Sequence, residues 1–139
     1  MGVRSVRHAI ATEADIVAAR RSGRRLAKSA GFTTADLTTI ATAISEVARN
    51  ITGYAGEGEM TITVIEHGDR RGLEVTAEDQ GPGIADVERA LADGYSTGSG
   101  MGLGLPGARR LMDELTVDSI VGVGTTVVMR KWVTDAAAD

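Results

Sequence analysis

Cysteine is absent from the 139 residues, and with it go thiol catalysis and any zinc site built on thiolates. Histidine occurs only as His8 and His67, too few and too far apart to compose a metal centre. The formal charge of −4 supplies no dominant basic field, so broad nucleic-acid binding is not expected. The run RRSGRR, residues 20 to 25, is a local exception and reads as the solvated face of a helix. No apolar stretch approaches the roughly 20 residues that span a bilayer, and no charged-then-apolar leader opens the chain. The expectation is a soluble, cytoplasmic protein whose 139 residues form one domain with a core that needs no disulfide or structural metal.

What the chain has in abundance is glycine, 18 residues in all, six of them within DGYSTGSGMGLGLPG at 93–107. Around that stretch the grammar is regular. Residues 12–31 open with Thr12 and Asp15 at capping-box spacing, carry Ile16, Ala19, Leu26 and Ala30 near one face, and close on Gly31, which predicts a helix. Residues 33–51 repeat the pattern, with Thr33 and Asp36 followed by Leu37, Ile40, Ala41, Ile44, Val47, Ala48 and Ile51 at helical spacing. Two β-branched runs, 60–67 and 73–79, flank the turn-rich GDRRG and predict an antiparallel hairpin. A short helix is expected over 86–93. A further helix runs from Pro106, whose missing N–H costs nothing in a first turn, to about Leu115. A second hairpin over 116–132 turns at Gly122 to Gly124, and the tail beyond it is expected to fray. Locally paired strands interrupted by helices give an α+β two-layer sandwich, a mixed, mostly antiparallel sheet with helices on one face.

Gly102, Gly104 and Gly107 fit G-x-G-x-x-G, but no strand runs into the first glycine and no βαβ unit can follow, so a Rossmann turn is excluded. A P-loop is excluded because no glycine precedes Lys-Ser or Lys-Thr. Bare backbone before a helix start remains suited to phosphate, with a plain surface loop as the alternative. On the second helix, Glu46 and Asn50 stand four residues apart and share one face, along with the short side chains of Thr39 and Ala43. An acid there can accept a hydroxyl proton, and an amide oxygen one turn on can ligate magnesium; an ordinary solvated face is the alternative. In LEVTAEDQGPGI, Asp79 falls in phase with Leu73, Val75 and Ala77, so it faces the apolar side and requires a partner. Such an acid at a strand end can accept from the exocyclic amine of adenine, or simply close a turn. Thr125, in GVGTT, could support Asp79 or a bridging water if their strands are neighbours.

Taken in order, these fragments are an acid and an asparagine on a helix, D-x-G-x-G-I, G-x-G-L-G-L and G-x-G-T. That order resembles the GHKL or Bergerat ATP-binding fold, shared by histidine-kinase catalytic domains, gyrase B, MutL and the anti-sigma kinases. Within it the chain looks most like the RsbT-type serine/threonine kinases, switch proteins of bacterial stressosomes. The likeness runs through TAISEVARNI, AEDQGPGI and DGYSTGSGMGLGLPGARRLMDEL to the terminal KW. The resemblance implies an ATP- and Mg²⁺-dependent kinase that phosphorylates Ser or Thr on a STAS-domain partner, then leaves to activate a downstream phosphatase or other regulator. It implies Mg²⁺ on Asn50, hydroxyl activation by Glu46 and adenine reading by Asp79. Gly81, Gly83 and Ile84 would lie beside the base with Thr125 as helper. Gly100, Gly102 and Gly104 would form the phosphate loop, Leu103 and Leu105 its anchors, and 85–99 the lid. Unlike two-component histidine kinases, the chain has no dimerising hairpin and no phosphoacceptor histidine segment, so histidine autophosphorylation is not implied. A nucleotide-gated anti-sigma-like module with little phosphoryl transfer would use the same pocket and stays open. An ATPase or chaperone machine, which sets this domain in a longer chain, is not expected.

Overall fold

The computed structural model describes residues 4–92 and 104–134. Helix α1 (Glu13–Ala30) begins where the Thr12 hydroxyl accepts from the Asp15 amide at 3.1 Å while the Asp15 carboxylate accepts from the Thr12 and Ala11 amides at 3.0 and 2.9 Å. This satisfies N–H groups that a helix start otherwise leaves orphaned. Thr33 caps α2 (Thr34–Tyr54) through its hydroxyl, accepting from Asp36 N at 3.2 Å. Burying residues such as Ile40, Ile44, Met60 and Ile62, all at 0% exposure, stabilises by roughly 1.5–3 kcal/mol each, against about 1 kcal/mol for a cap. The caps therefore set where the helices start, and the core sets where they lie.

Strands β2 (Gly58–His67) and β3 (Arg70–Asp79) form the expected hairpin, turning at Gly68 and Asp69. Helix α3 (Val87–Leu91) is capped by Asp86, and α4 spans Gly104–Leu111. Strands β4 (Glu114–Ile120) and β5 (Gly124–Trp132) make the second hairpin. The sheet has the order β1-β2-β3-β5-β4, and all four pairings are antiparallel. Inward positions Met60, Ile62, Leu73, Val75, Ala77, Val127 and Met129 are buried in one core with α1 and α2. The opposite face carries Thr61, Thr63, Glu74, Thr76 and Arg130. No helix among the described residues is long and apolar enough to cross a membrane.

Two expectations need correction. Strand β1 (Ser5–Ile10) was not expected; it lies at the sheet edge, pairing Ser5 with Thr63 and Ile10 with Gly58, and His8 Nε2 meets Ser22 Oγ of α1 at 2.8 Å. Its partner is more than forty residues away in the chain, so no local hairpin signal exists. The helix expected to run to about Leu115 ends at Leu111 because the next residues are captured by β5. Asp113 N donates to Arg130 O at 3.0 Å, and the Asp113 carboxylate accepts from Trp132 N at 2.8 Å.

At the far end of the open face, Arg130 bonds Glu74 at 2.7 Å and Glu114 at 3.2 Å, and the Trp132 indole N–H donates to Glu114 at 2.8 Å. The Arg70 guanidinium sits 4.2 Å from the Trp132 ring centre. The indole N–H, then Arg130, hold the Glu114 carboxyl below its ordinary value.

Replacing Thr12 by Ala is expected to cost about 1 kcal/mol in urea unfolding. Backbone donors from Ala11 and Thr12 lower the Asp15 pKa. Its contribution is therefore fully present above the ordinary aspartate value and is lost as pH falls through the lowered folded value. Asp15→Asn should accordingly flatten part of the acid-side decline in stability; an unchanged pH profile would contradict this.

Candidate functional site

Glu46 and Asn50 lie one turn apart on α2 where it passes the start of α4. A Cβ placed on Gly104 would stand 3.1 Å from the Glu46 carbonyl oxygen and 3.7 Å from both Cβ and Oδ1 of Asn50. The two backbones thus approach closely because residue 104 has no side chain. Asn50 is 7% exposed, yet its amide has no hydrogen-bond partner among the described residues. No sealed side-chain N or O is orphaned there either, so that amide keeps contact with the surface beside Gly104. Glu46 is half-buried. The side of α2 with short side chains is shared with α4, since Ala43 is fully buried and the two helices pack together. Leu105, at 3% exposure, ties α4 into the core. The first turn of α4 carries no acid, and a helix start is the positive end of its dipole. Gly100, Gly102 and Leu103 lie outside the described residues, as does 93–99 of the expected lid.

The second cluster gathers at the end of β3. Asp79 follows Leu73, Val75 and Ala77 in phase, opposite Gly58 on β2 and Thr125 on β5. Asp79 Oδ1 accepts from Gly81 N at 2.9 Å, which leaves Oδ2 without a partner among the described residues. Gly81 rests on Ala55, where a Cβ would come within 2.6 Å of the Ala55 Cβ. Asn50 and Ala55 are five residues apart, about 7.5 Å along a helix axis, so both clusters flank the same end of α2. Gly83 has φ +79, and a Cβ there would lie 2.5 Å from the Ile120 carbonyl oxygen. This turn is docked on the β4–β5 turn, with Gly122 N donating to Pro82 O at 2.8 Å.

Thr125 is 6% exposed and stands beside Asp79, but its hydroxyl is 2.8 Å from Ser119 Oγ, which also accepts from Ile84 N at 2.7 Å. Ser119 was missed in the sequence. The signal was present: Leu115, Val117 and Ser119 alternate, so a polar residue at a strand end falls in the apolar phase, as Asp79 does. A hollow of about 360 Å³ opens at the ends of β2 and β3, but Glu57, Glu59 and Glu78 line it and would repel a polyphosphate. Gly83→Ala should destabilise the fold by roughly 1–3 kcal/mol in thermal unfolding; an unchanged melt would show that the left-handed turn is not required.

Residues 9–131 match the histidine kinase-like ATPase domain family. The chain is 52% identical over 123 residues to the serine/threonine-protein kinase RsbT of Bacillus subtilis, covering 88% of this chain and 92% of that protein. It is 34% identical over 108 residues to the anti-sigma F factor of Halalkalibacterium halodurans, covering 74% of each. A structure of the RsbU and RsbW domains of a Mycobacterium tuberculosis protein superposes with a TM-score of 0.63 at 18% identity, covering 93% of this chain and 32% of that one. The catalytic domain of the histidine kinase ThkA gives 0.52 at 20% identity, covering 69% of this chain and 67% of that one. These two likenesses bear on the fold alone. From the match along nearly its whole length, the chain belongs to the histidine kinase-like ATPase domain family and, within it, to the group of the RsbT serine/threonine kinase.

Proposed function

We propose that the protein is a Mg-ATP-dependent serine/threonine protein kinase that phosphorylates a STAS-domain partner and acts as a cytoplasmic partner-switching regulator of bacterial stress signalling. The observation that carries this reading is Asn50, an almost buried amide with no hydrogen-bond partner among the described residues, set where the bare backbone of Gly104 meets α2. The likeness to the RsbT kinase supports it. The described residues contain no group of three or more His, Cys, Asp or Glu able to hold a metal. The Asn50 amide oxygen is a donor of the kind magnesium takes, a neutral oxygen beside several waters and phosphate oxygens. When bound, magnesium neutralises phosphate charge.

The chain's own residues supply positioning. Asp79 Oδ2 accepts from the exocyclic amine of the base, and the amides at the start of α4 face the phosphates. Glu46 orients the partner's hydroxyl and takes its proton as that oxygen bonds the γ-phosphorus and the bond to the bridging oxygen of ADP breaks. Released from its partner, the kinase is free to engage a downstream phosphatase or other regulator.

The likeness to anti-sigma F factors favours a second reading, a nucleotide-gated binding module with little phosphoryl transfer. Glu46 separates the two, because binding alone needs no acid at that place. Incubation with labelled ATP and a candidate STAS-domain protein should label the partner, and Glu46→Ala should slow labelling at least about 100-fold while nucleotide affinity is retained. ATP-dependent co-elution without label would favour the binding module, and full transfer by Glu46→Ala would remove the acid's role.

A further inference from the structure

The Ser119 hydroxyl is where three segments around Asp79 meet. It accepts from Ile84 N at 2.7 Å, lies 3.2 Å from Gly124 O, and is 2.8 Å from Thr125 Oγ1. A serine hydroxyl has one proton and two lone pairs. The Ile84 amide occupies one lone pair. A carbonyl can only accept, so the serine proton belongs to Gly124 O. Thr125 must then donate into the remaining lone pair, which is the one assignment that satisfies all three contacts together.

That assignment has a chemical consequence. With its own proton directed to Ser119, Thr125 offers only lone pairs to any other group. Thr125 is the cross-strand partner of Asp79, and paired residues share a sheet face. Asp79 already receives the Gly81 amide on Oδ1. Both side chains therefore present acceptors at this end of the cleft. A purine amine finds matching partners there, whereas a keto oxygen at the same place meets only lone pairs, and an unmatched buried polar group is penalised. The same serine ties Ile84, and with it the turn that follows Asp79, to β4.

We propose that Ser119 is the positioning residue that fixes the polarity of Thr125 and the place of the Gly83–Ile84 turn, and so contributes to the choice of adenine over guanine nucleotides. The proposal rests on the nucleotide-binding reading given above. Its test is equilibrium binding of Mg-ATP and Mg-GTP to the wild-type protein, Ser119→Ala, Ser119→Thr and Thr125→Val, with thermal unfolding to follow the fold. Ser119→Ala should weaken ATP binding roughly tenfold and narrow the ATP-to-GTP preference. Ser119→Thr, which restores the hydroxyl, should retain both affinity and preference, and Thr125→Val should narrow the preference without cutting the Ile84 tether. An unchanged preference in Ser119→Ala, or equal losses for both nucleotides, overturns the proposal while leaving the nucleotide reading intact. If Ser119→Ala does not fold, an unchanged preference in Thr125→Val overturns it instead. Failure of the wild-type protein to bind either nucleotide overturns the underlying reading, and the proposal with it.

Discussion

Helix α2 is enclosed on more than one side. Ile40, Ile44 and Val47 enter the core shared with the sheet, while the turn bearing Glu46 and Asn50 meets α4. A helix in that position cannot leave polar side chains without partners at no cost. Ser45 resolves this by bonding back to Ala41 O at 3.0 Å. Asn50 has no such bond among the described residues, and the covering helix brings the bare backbone of Gly104 to it. The packing that stabilises α2 thus leaves one amide without a partner among the described residues, and the proposed chemistry grows from that feature.

The proposed base end obeys a similar constraint, met from within the protein. Asp79, Ser119 and Thr125 all occupy inward positions near strand ends, where water is scarce and hydroxyl protons must be allocated. Their bonds join the loop after β3 to the β4–β5 turn, so this end is braced through the sheet. The proposed phosphate end depends on the contact between α2 and α4. A nucleotide spanning both would touch a braced region at its base and a helix–helix junction at its phosphates.

Much of this was legible in the sequence because its causes are local. Thr12 with Asp15, and Thr33 with Asp36, announce helix starts through bonds made within four residues, and the spacing of Leu37, Ile40 and Ile44 marks a buried stripe. Phase alone placed Asp79 on the inward face. What was not legible depends on distant partners. Strand β1 forms only by pairing with β2 across two helices, and α4 stops early because β5 supplies bonds to Asp113. The strands of Thr125 and Asp79 are neighbours, the condition the sequence left open, but the Thr125 hydroxyl's partner lies six residues back across the β4–β5 turn, where a turn-forming sequence needs no further explanation. Gly100, Gly102 and Leu103 are outside the described residues, so sequence is the sole guide to that part of the loop.

The single tryptophan of the chain lies at the other end of the sheet. Trp132 pairs with Gly72, seven residues along β3 from Asp79, a distance of about 24 Å at strand rise. Held under a guanidinium and bonded to a carboxylate, its indole makes intrinsic fluorescence a remote gauge, insensitive to events confined to the cleft. A change in emission on adding nucleotide would therefore signal a disturbance carried through the length of the strands, with no extrinsic dye attached.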